Sequence, residues 1–292
     1  MNNSIAPLFV PGHVARLREK AASLGCSSLL VDIEDAVPGA EKEAARRGAV
    51  ELMLERPGVC QVRINPLQVA RGFGMGCGRE DLAAVVRPGL AGIVAPKVDT
   101  VDALRAFDAA LADAERDAGL PPGRIPLCAT IETALGSVNV LDIARAGLSR
   151  PVRLSFGMGD LTTDLGIEWT RDEAEGSMPR AMIALASRAA GLARPVDTVF
   201  TDAADVEGLR ASAQRGKALG YGSKAAIHPG QIAVILDVYR PTQAEQTWAL
   251  RVVEAAAERS ERGEGAFLLD GRMIDDPIVV RARDVLSLAQ QF

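Results

Sequence analysis

Ile125-Pro126-Leu127-Cys128-Ala129-Thr130-Ile131-Glu132-Thr133 and Val152-Arg153-Leu154-Ser155-Phe156-Gly157-Met158-Gly159-Asp160 follow one plan. In each, a short apolar run punctuated by Pro or Gly gives way to a carboxylate. Runs bounded in this way read as buried strands. A carboxylate at the C-terminal end of such a strand is not there to fill a core, because an unpaired buried charge costs several kcal/mol or more. Two of them on neighbouring strands of a parallel sheet converge on one point. Their repulsion asks for a cation between them, and oxygen-only ligands favour Mg²⁺.

Outward from this pair, strand-like and helix-like stretches alternate. Leu8-Phe9-Val10 precedes a helical pattern over 13–25, and Ser28 to Ile33 precedes one over 40–54. Cys60 to Asn65 is the third strand, with a glycine-rich loop and a short helix near 81–86 behind it. Ala91 to Ala95 leads to a helix over 100–118, and the strand ending at Glu132 leads to a helix reaching about Ala146. After the sixth strand, a long loop is expected as far as Ser177, then a helix over 179–192. Thr198-Val199-Phe200 and Ala225-Ala226-Ile227 are the expected seventh and eighth strands, with helices over 205–219 and 229–238. Eight strand–helix pairs call for a parallel sheet with helices outside it. The α/β architecture that meets this most economically is a (β/α)8 TIM barrel, with an open doubly wound sheet as the alternative. No linker or repeat interrupts 1–240, so this range is expected to be one catalytic barrel domain. Residues 241–292 are expected to form a C-terminal helical arm: one charged helix, the turn-bearing stretch around Asp270-Gly271, and a last helix over 278–290.

Bulk properties narrow the partners. The 292 residues are 48% hydrophobic and 24% charged, an ordinary globular balance with a large core. Only 4% are aromatic and the net charge is −5, which argues against nucleic acid as the main partner. The four cysteines are widely spaced and expected to be buried, reduced thiols. No run of about 18 apolar residues occurs, so no membrane span is expected. The start, Met1-Asn2-Asn3-Ser4-Ile5, lacks a basic, then apolar, leader, and a cytoplasmic location is expected.

In a barrel of this kind chemistry sits at the C-terminal ends of the strands. The polar residues expected there are Asp32, Glu34, Asp35, Arg63, Asn65, Lys97, Glu132, Asp160 and His228. Arg63 alternates with Val62 and Ile64. It is either an interior ion-pair partner or a fixed guanidinium that grips a carboxylate or carbonyl oxygen. His13 and His228 are the only histidines, too few for a convincing triad or zinc site. A capping or core role is expected for His228.

Several motifs, taken together and in order, resemble the citrate lyase beta subunit family of the HpcH/HpaI aldolase superfamily, which includes malyl-CoA and citramalyl-CoA lyases. They are Leu8-Phe9-Val10-Pro11-Gly12-His13, Val31-Asp32-Ile33-Glu34-Asp35-Ala36-Val37, Val62-Arg63-Ile64-Asn65-Pro66, Pro96-Lys97 and Ile131-Glu132-Thr133. Phe156-Gly157, Asp160-Leu161, Ala226-Ile227-His228-Pro229-Gly230-Gln231 and Gly271-Arg272-Met273-Ile274-Asp275 continue the match. The resemblance implies Glu132 and Asp160 as Mg²⁺ ligands, and Arg63, Glu34, Asp35 and Gly159 as the substrate-binding set, Glu34 and Asp35 acting through metal-bound waters. It implies Arg63 and Asp275 as the catalytic pair, with Asp275 on an arm reaching a neighbouring subunit of a homotrimer. Arg16 and Lys20 fall where relatives contact the phosphates of coenzyme A. The implied reaction cleaves a short β-hydroxyacyl-CoA into an acyl-CoA and a 2-oxo acid, or joins them in reverse. Two rivals stand beside it: a citrate lyase beta subunit working on an acyl-carrier-protein thioester inside a complex, and a thioesterase-like member that breaks no carbon–carbon bond. Two departures are expected to matter. Ser223 stands where relatives usually carry glycine and would reshape a coenzyme A loop, and the glycine-rich 69–79 loop matches no family pattern and would set acyl specificity.

Overall fold

The computed structural model describes residues 5–68, 75–260, 265–290 and 292. The chain divides into two compact units, Met1–Val238 and Tyr239–Phe292. The first opens with β1 (Leu8–Pro11), α1 (Ala15–Ser23), β2 (Leu29–Asp32), α2 (Lys42–Glu55), β3 (Cys60–Arg63) and α3 (Gly78–Val85). β4 (Gly92–Ala95), α4 (Val101–Asp117), β5 (Leu127–Ile131), α5 (Ala134–Val138), α6 (Val140–Ala144) and β6 (Val152–Phe156) follow. It continues through α7 (Met158–Leu165), α8 (Ser177–Ala189), β7 (Val196–Asp197), α9 (Val206–Leu219), β8 (Ser223–Lys224) and α10 (Pro229–Tyr239).

The eight strands form one parallel sheet in chain order, β1 to β8. Every residue of β2, β4 and β5 is buried, as strands covered on both faces require. Along β5, Leu127, Ala129 and Ile131 have no solvent exposure, while Cys128, Thr130 and the following Glu132 line a cavity on the opposite face. The period-two alternation of a strand therefore separates the helix-facing core from the lumen side. The sheet curls. Ala226, just past β8, bridges Leu8 in parallel, with Phe9 N–H donating to its carbonyl at 2.8 Å and its own N–H reaching Pro7 at 2.9 Å. The architecture is TIM-barrel-like.

Four elements differ from expectation. β7 is Val196–Asp197 rather than 198–200, because the polar groups beyond it have side-chain partners. Thr198 Oγ1 accepts from Met158 N–H, its carbonyl from Lys224 Nζ, and the Phe200 carbonyl from Gln231. β8 likewise stops at Lys224. The expected loop after β6 contains α7: Thr162 and Thr163 hydroxyls return to the carbonyls of Met158 and Gly159, and Gly166 at φ 67° ends the helix. That back-bonding sustains a short helix which Gly159 alone argues against. The single helix expected to about Ala146 is two, parted at Asn139, whose side-chain amide donates to the Asp99 carbonyl.

In the second unit, α11 (Gln243–Ser260) and α12 (Asp276–Ala289) pack with a hairpin of β9 (Phe267–Leu269) and β10 (Arg272–Ile274). Ala249, Val252, Ile274, Val279 and Ala282 form its buried core. The two-residue turn Asp270-Gly271 has φ of 52° and 75°, the left-handed pair that a tight hairpin demands and that Asp-Gly supplies. All four cysteines are free thiols, Cys60 and Cys128 buried. Among the described residues no helix is long and apolar enough to cross a membrane. The stretch 69–74, to which acyl specificity is ascribed above, lies outside the described residues.

Candidate active site

The site grows from the ends of β2 and β3. Asp32, register-paired with Arg63, receives the guanidinium on both oxygens, from Nε at 2.8 Å and Nη2 at 2.7 Å. The same carboxylate accepts the backbone N–H groups of Glu34 and Ala36, so it shapes the turn that presents Glu34 and Asp35. Burial works to raise the Asp32 pKa, but Arg63 and these hydrogen bonds outweigh it and hold the acid below its usual range. The first reading of its alternation is the one observed: Arg63 is an interior ion-pair partner. Nη1 stands 3.3 Å from Glu34 Oε2, and the guanidinium lies over the Phe9 ring at 5.0 Å.

Lys97, just beyond β4, has φ 50°. That left-handed backbone sends its N–H to Glu132 Oε1 at 2.7 Å while its ammonium reaches Glu34 at 2.6 Å, Asp35 at 2.9 Å and Asp160 at 3.4 Å. Five carboxylates, Asp32 among them, therefore surround two cations. Burial pushes Glu34 up to about 7, with Arg63 and Lys97 pulling it down and Asp35 pushing it further up. Its Oε2 is buried without a hydrogen-bond partner among the described residues. Glu132 is raised well above the carboxylate range, first by burial and then by repulsion from Glu34 and Asp160. Gly157 is what lets Glu132 sit there: a Cβ at Gly157 would fall 2.3 Å from Glu132 Oε2. Asp160 occupies the first turn of α7 and is partly exposed.

Arg63, Glu132, Gly159 and Asp160 all line one cavity of about 180 Å³, with Trp169 at its side. No group of three or more His, Cys, Asp or Glu side chains is arranged to cage an ion among the described residues. A magnesium-like ion does not need such a cage, since one or two carboxylates and several waters suffice. The donor set is all hard oxygen, and an excess of negative charge and an orphaned carboxylate oxygen sit beside it. The chemistry of this oxygen-rich, net-negative mouth fits a divalent cation.

Some residues escaped the sequence. Buried Lys42 donates to the carbonyls of Ile33 and Glu34 and to Asn65 Oδ1, and Asn65 is held in turn by buried Asp81. Lys42 sits at the start of an amphipathic helix, where nothing in the pattern separates it from a solvated lysine. His228 does cap: its Nδ1 accepts from Gly230 N–H at 3.1 Å. Ser223 corrects an expectation. It belongs to β8, is fully buried, and accepts a hydrogen bond from Arg153 Nη2 at 2.7 Å, so it braces the barrel interior and is no part of a loop. Arg16 and Lys20 are exposed on one side of α1, one helical turn apart. Asp275 lies in the second unit, where it caps α12 through Ile278 N–H.

The family model for HpcH/HpaI aldolase/citrate lyase matches residues 6–229. The citrate lyase subunit beta of Leuconostoc mesenteroides subsp. cremoris is 35% identical over 285 residues, covering 97% of this chain and 92% of that one. A (3S)-malyl-CoA thioesterase of Cereibacter sphaeroides is 33% identical over 287 residues, covering 97% and 93%. Among solved structures, the CitE protein of Mycobacterium tuberculosis in complex with magnesium, acetoacetate and coenzyme A superposes with a TM-score of 0.75 at 31% identity, covering 99% of both chains. With its family model spanning most of its length and its relatives nearly all of it, the chain belongs to the HpcH/HpaI aldolase/citrate lyase family.

Proposed function

We propose that this protein is a Mg²⁺-dependent carbon–carbon lyase that cleaves a short β-hydroxyacyl-CoA, such as malyl-, citramalyl- or citryl-CoA, into an acyl-CoA and a 2-oxo acid, or condenses them in reverse. The observation that carries it is the cluster of Glu34, Asp35, Glu132 and Asp160 around Lys97 and Arg63 at one cavity. The magnesium and coenzyme A complex of the CitE relative supports the same cofactor and substrate class here.

Glu132 and Asp160 would hold the ion, with Glu34 and Asp35 accepting from its waters. Once bound, Mg²⁺ supplies Lewis acidity for the oxygen that becomes the carbonyl of the 2-oxo acid. Arg63, fixed by Asp32, aims Nη1 at that same oxygen and stabilises charge there without having to reorganise. Gly159, second in α7, offers a backbone N–H that has no acceptor within its helix, suited to the carboxylate of the oxo acid. On cleavage the hydroxyl proton leaves to a carboxylate of the mouth. The carbon–carbon electron pair passes to the thioester as an enolate, and the α-carbon takes a proton from Asp275. Asp275 comes from a neighbouring subunit of a homotrimer, delivered by the 241–292 arm. Arg16 and Lys20 bind the coenzyme A phosphates, the eight strands make a closed (β/α)8 barrel, and the enzyme works in the cytoplasm.

A second reading is hydrolysis of the thioester, favoured by the (3S)-malyl-CoA thioesterase relative. A third, favoured by the Leuconostoc relative, is an acyl-carrier-protein thioester as substrate inside a citrate lyase complex. One assay separates them. The protein is incubated with Mg²⁺ and malyl-, methylmalyl-, citramalyl- or citryl-CoA, and 2-oxo acids are trapped as hydrazones while free thiol is titrated. Lyase action gives 2-oxo acid without free thiol. Free coenzyme A without 2-oxo acid refutes it in favour of hydrolysis. Turnover only in the presence of co-purifying subunits refutes the free-standing enzyme.

A further inference from the structure

A TIM barrel interior is ordinarily filled by layers of bulky branched side chains. The lumen side of β5 and β6 is different. Above the floor, β5 contributes Thr130 and β6 contributes Ser155, and Gly157 has no side chain at all. The cavity at the mouth therefore runs on past Thr130 and Ser155 to a floor walled by Phe9, Leu30, Val94, Cys128 and Val196. The buried wall residues Leu30, Val94 and Cys128 keep 4–6% of their surface accessible. From Glu132 to Thr130 is two strand residues and to Cys128 four, so the lumen is about 7 to 13 Å deep below the mouth.

Several polar groups in the lumen have partners within the protein, and the Gln61 amide donates to Ser28 Oγ at 3.1 Å. Ser155 Oγ donates to Thr130 Oγ1 at 2.9 Å. Arg153, at the base, donates to the Arg194 carbonyl at 2.6 Å and to Ser223 Oγ at 2.7 Å. Asp197 is taken by Arg180 and Lys224. What remains is a mainly apolar space walled by Phe9, Leu30, Val94, Cys128 and Val196. It lies under the one point where Arg63 and Glu132 hold polar atoms.

We infer that this lumen is a binding site for the alkyl substituent on the keto carbon of the 2-oxo acid, which makes 2-oxo acids with a short alkyl chain better ligands than glyoxylate. The inference rests on the lyase reading for the identity of the ligand, but its test reads binding alone. Cys128 sets the depth of the pocket and Ser155 its waist.

Affinities of glyoxylate, pyruvate, 2-oxobutyrate and 2-oxovalerate are measured by calorimetry with the full chain and saturating Mg²⁺. For the wild type, affinity rises from glyoxylate to 2-oxobutyrate by tenfold or more, the least that a methylene in a fitted apolar pocket gives. Ser155→Val lowers the ratio of substituted acids to glyoxylate by tenfold or more. Cys128→Leu does so most strongly for 2-oxovalerate, and Cys128→Ala, which removes atoms and asks least of the fold, raises 2-oxovalerate relative to pyruvate. Ratios that stay constant in all three variants, affinity that falls steadily with chain length in the wild type, or no binding of any substituted acid would each overturn the inference. Graded binding without turnover on any acyl-CoA sinks the lyase reading and leaves the pocket standing. Turnover confined to glyoxylate does the reverse.

Discussion

Lys97→Met tests the electrostatics of the cluster most sharply. Methionine keeps the length and apolar stem of the side chain and the left-handed backbone at φ 50°, so the substitution removes the ammonium and little else. The ammonium has a 2.6 Å contact with fully buried Glu34 and a 3.4 Å contact with Asp160. Its 2.9 Å partner Asp35 is 44% exposed, and that pair is screened to under about 1 kcal/mol. Leaving a buried charge without its partner costs about 3–5 kcal/mol. The loss is therefore assigned to Glu132 and to Glu34, which keeps Arg63 at 3.3 Å, and the metal-free protein should lose up to about that much. The loss should be greater at pH 8.5 than at pH 6, because Glu34, raised to about 7 in the wild type, rises further without Lys97 and can shed its charge by protonation at the lower pH. Mg²⁺ should restore more stability to the variant than to the wild type, where a ligand at a hundred times its Kd adds about 2.7 kcal/mol. The assay is urea unfolding followed by Trp169 emission, with Trp248→Phe in both proteins so that only the first unit reports. A metal-free variant as stable as the wild type at pH 8.5 would refute the reasoning.

Gly157→Ala should push Glu132 aside, since the new Cβ would lie 2.3 Å from its Oε2 and 2.6 Å from its Cβ. Mg²⁺ affinity by calorimetry should fall by tenfold or more, with an overpacking cost of about 1–3 kcal/mol in urea. Glu173 is buried and accepts from Arg180, Ser212 and Arg215, holding the segment that carries Trp169. Burial works to raise its pKa, but Lys224 and Arg180 outweigh it and depress the acid below its ordinary 4.5. Its stabilisation is therefore fully present above about pH 4.5 and is lost as pH falls through the depressed value. Glu173→Gln should cost about 3 kcal/mol at pH 7 and flatten the acid limb of the stability profile, both read by urea titration between pH 3 and 7. Asp275→Ser keeps a cap for α12 but cannot carry the proton. Turnover should fall at least a hundredfold with Mg²⁺ affinity unchanged, whereas Asp275→Ala should add about 1 kcal/mol of lost stability.

The strand ends were the legible part of this chain. A carboxylate after a continuous apolar run has few structural excuses, and Glu132 could be placed on the lumen side of β5 from that fact alone. Parallel order followed from the alternation of strands and helices. The short strands were harder, because Val196–Asp197 and Ser223–Lys224 contain only two residues each, and beyond the first of them side chains take the Thr198 and Phe200 carbonyls. α7 hid behind Gly157 and Gly159, since hydroxyl back-bonding leaves no periodic trace. The bond between Lys97 and Glu34 spans 63 residues, so the sequence could place both near the mouth but could not join them. Ser223 looked like a loop substitution until its hydroxyl was found on Arg153, 70 residues away.

Manganese diffraction offers the most direct measurement. Mn²⁺ takes the same hard oxygen ligands as Mg²⁺ and scatters anomalously, so crystals grown with it locate the ion without reference to activity. One anomalous peak touching carboxylate oxygens of both Glu132 and Asp160, lost in Glu132→Gln crystals, is the expected result. A peak elsewhere, or two side chains turned apart with no ion between them in an enzyme that works unchanged in chelator, would contradict the account.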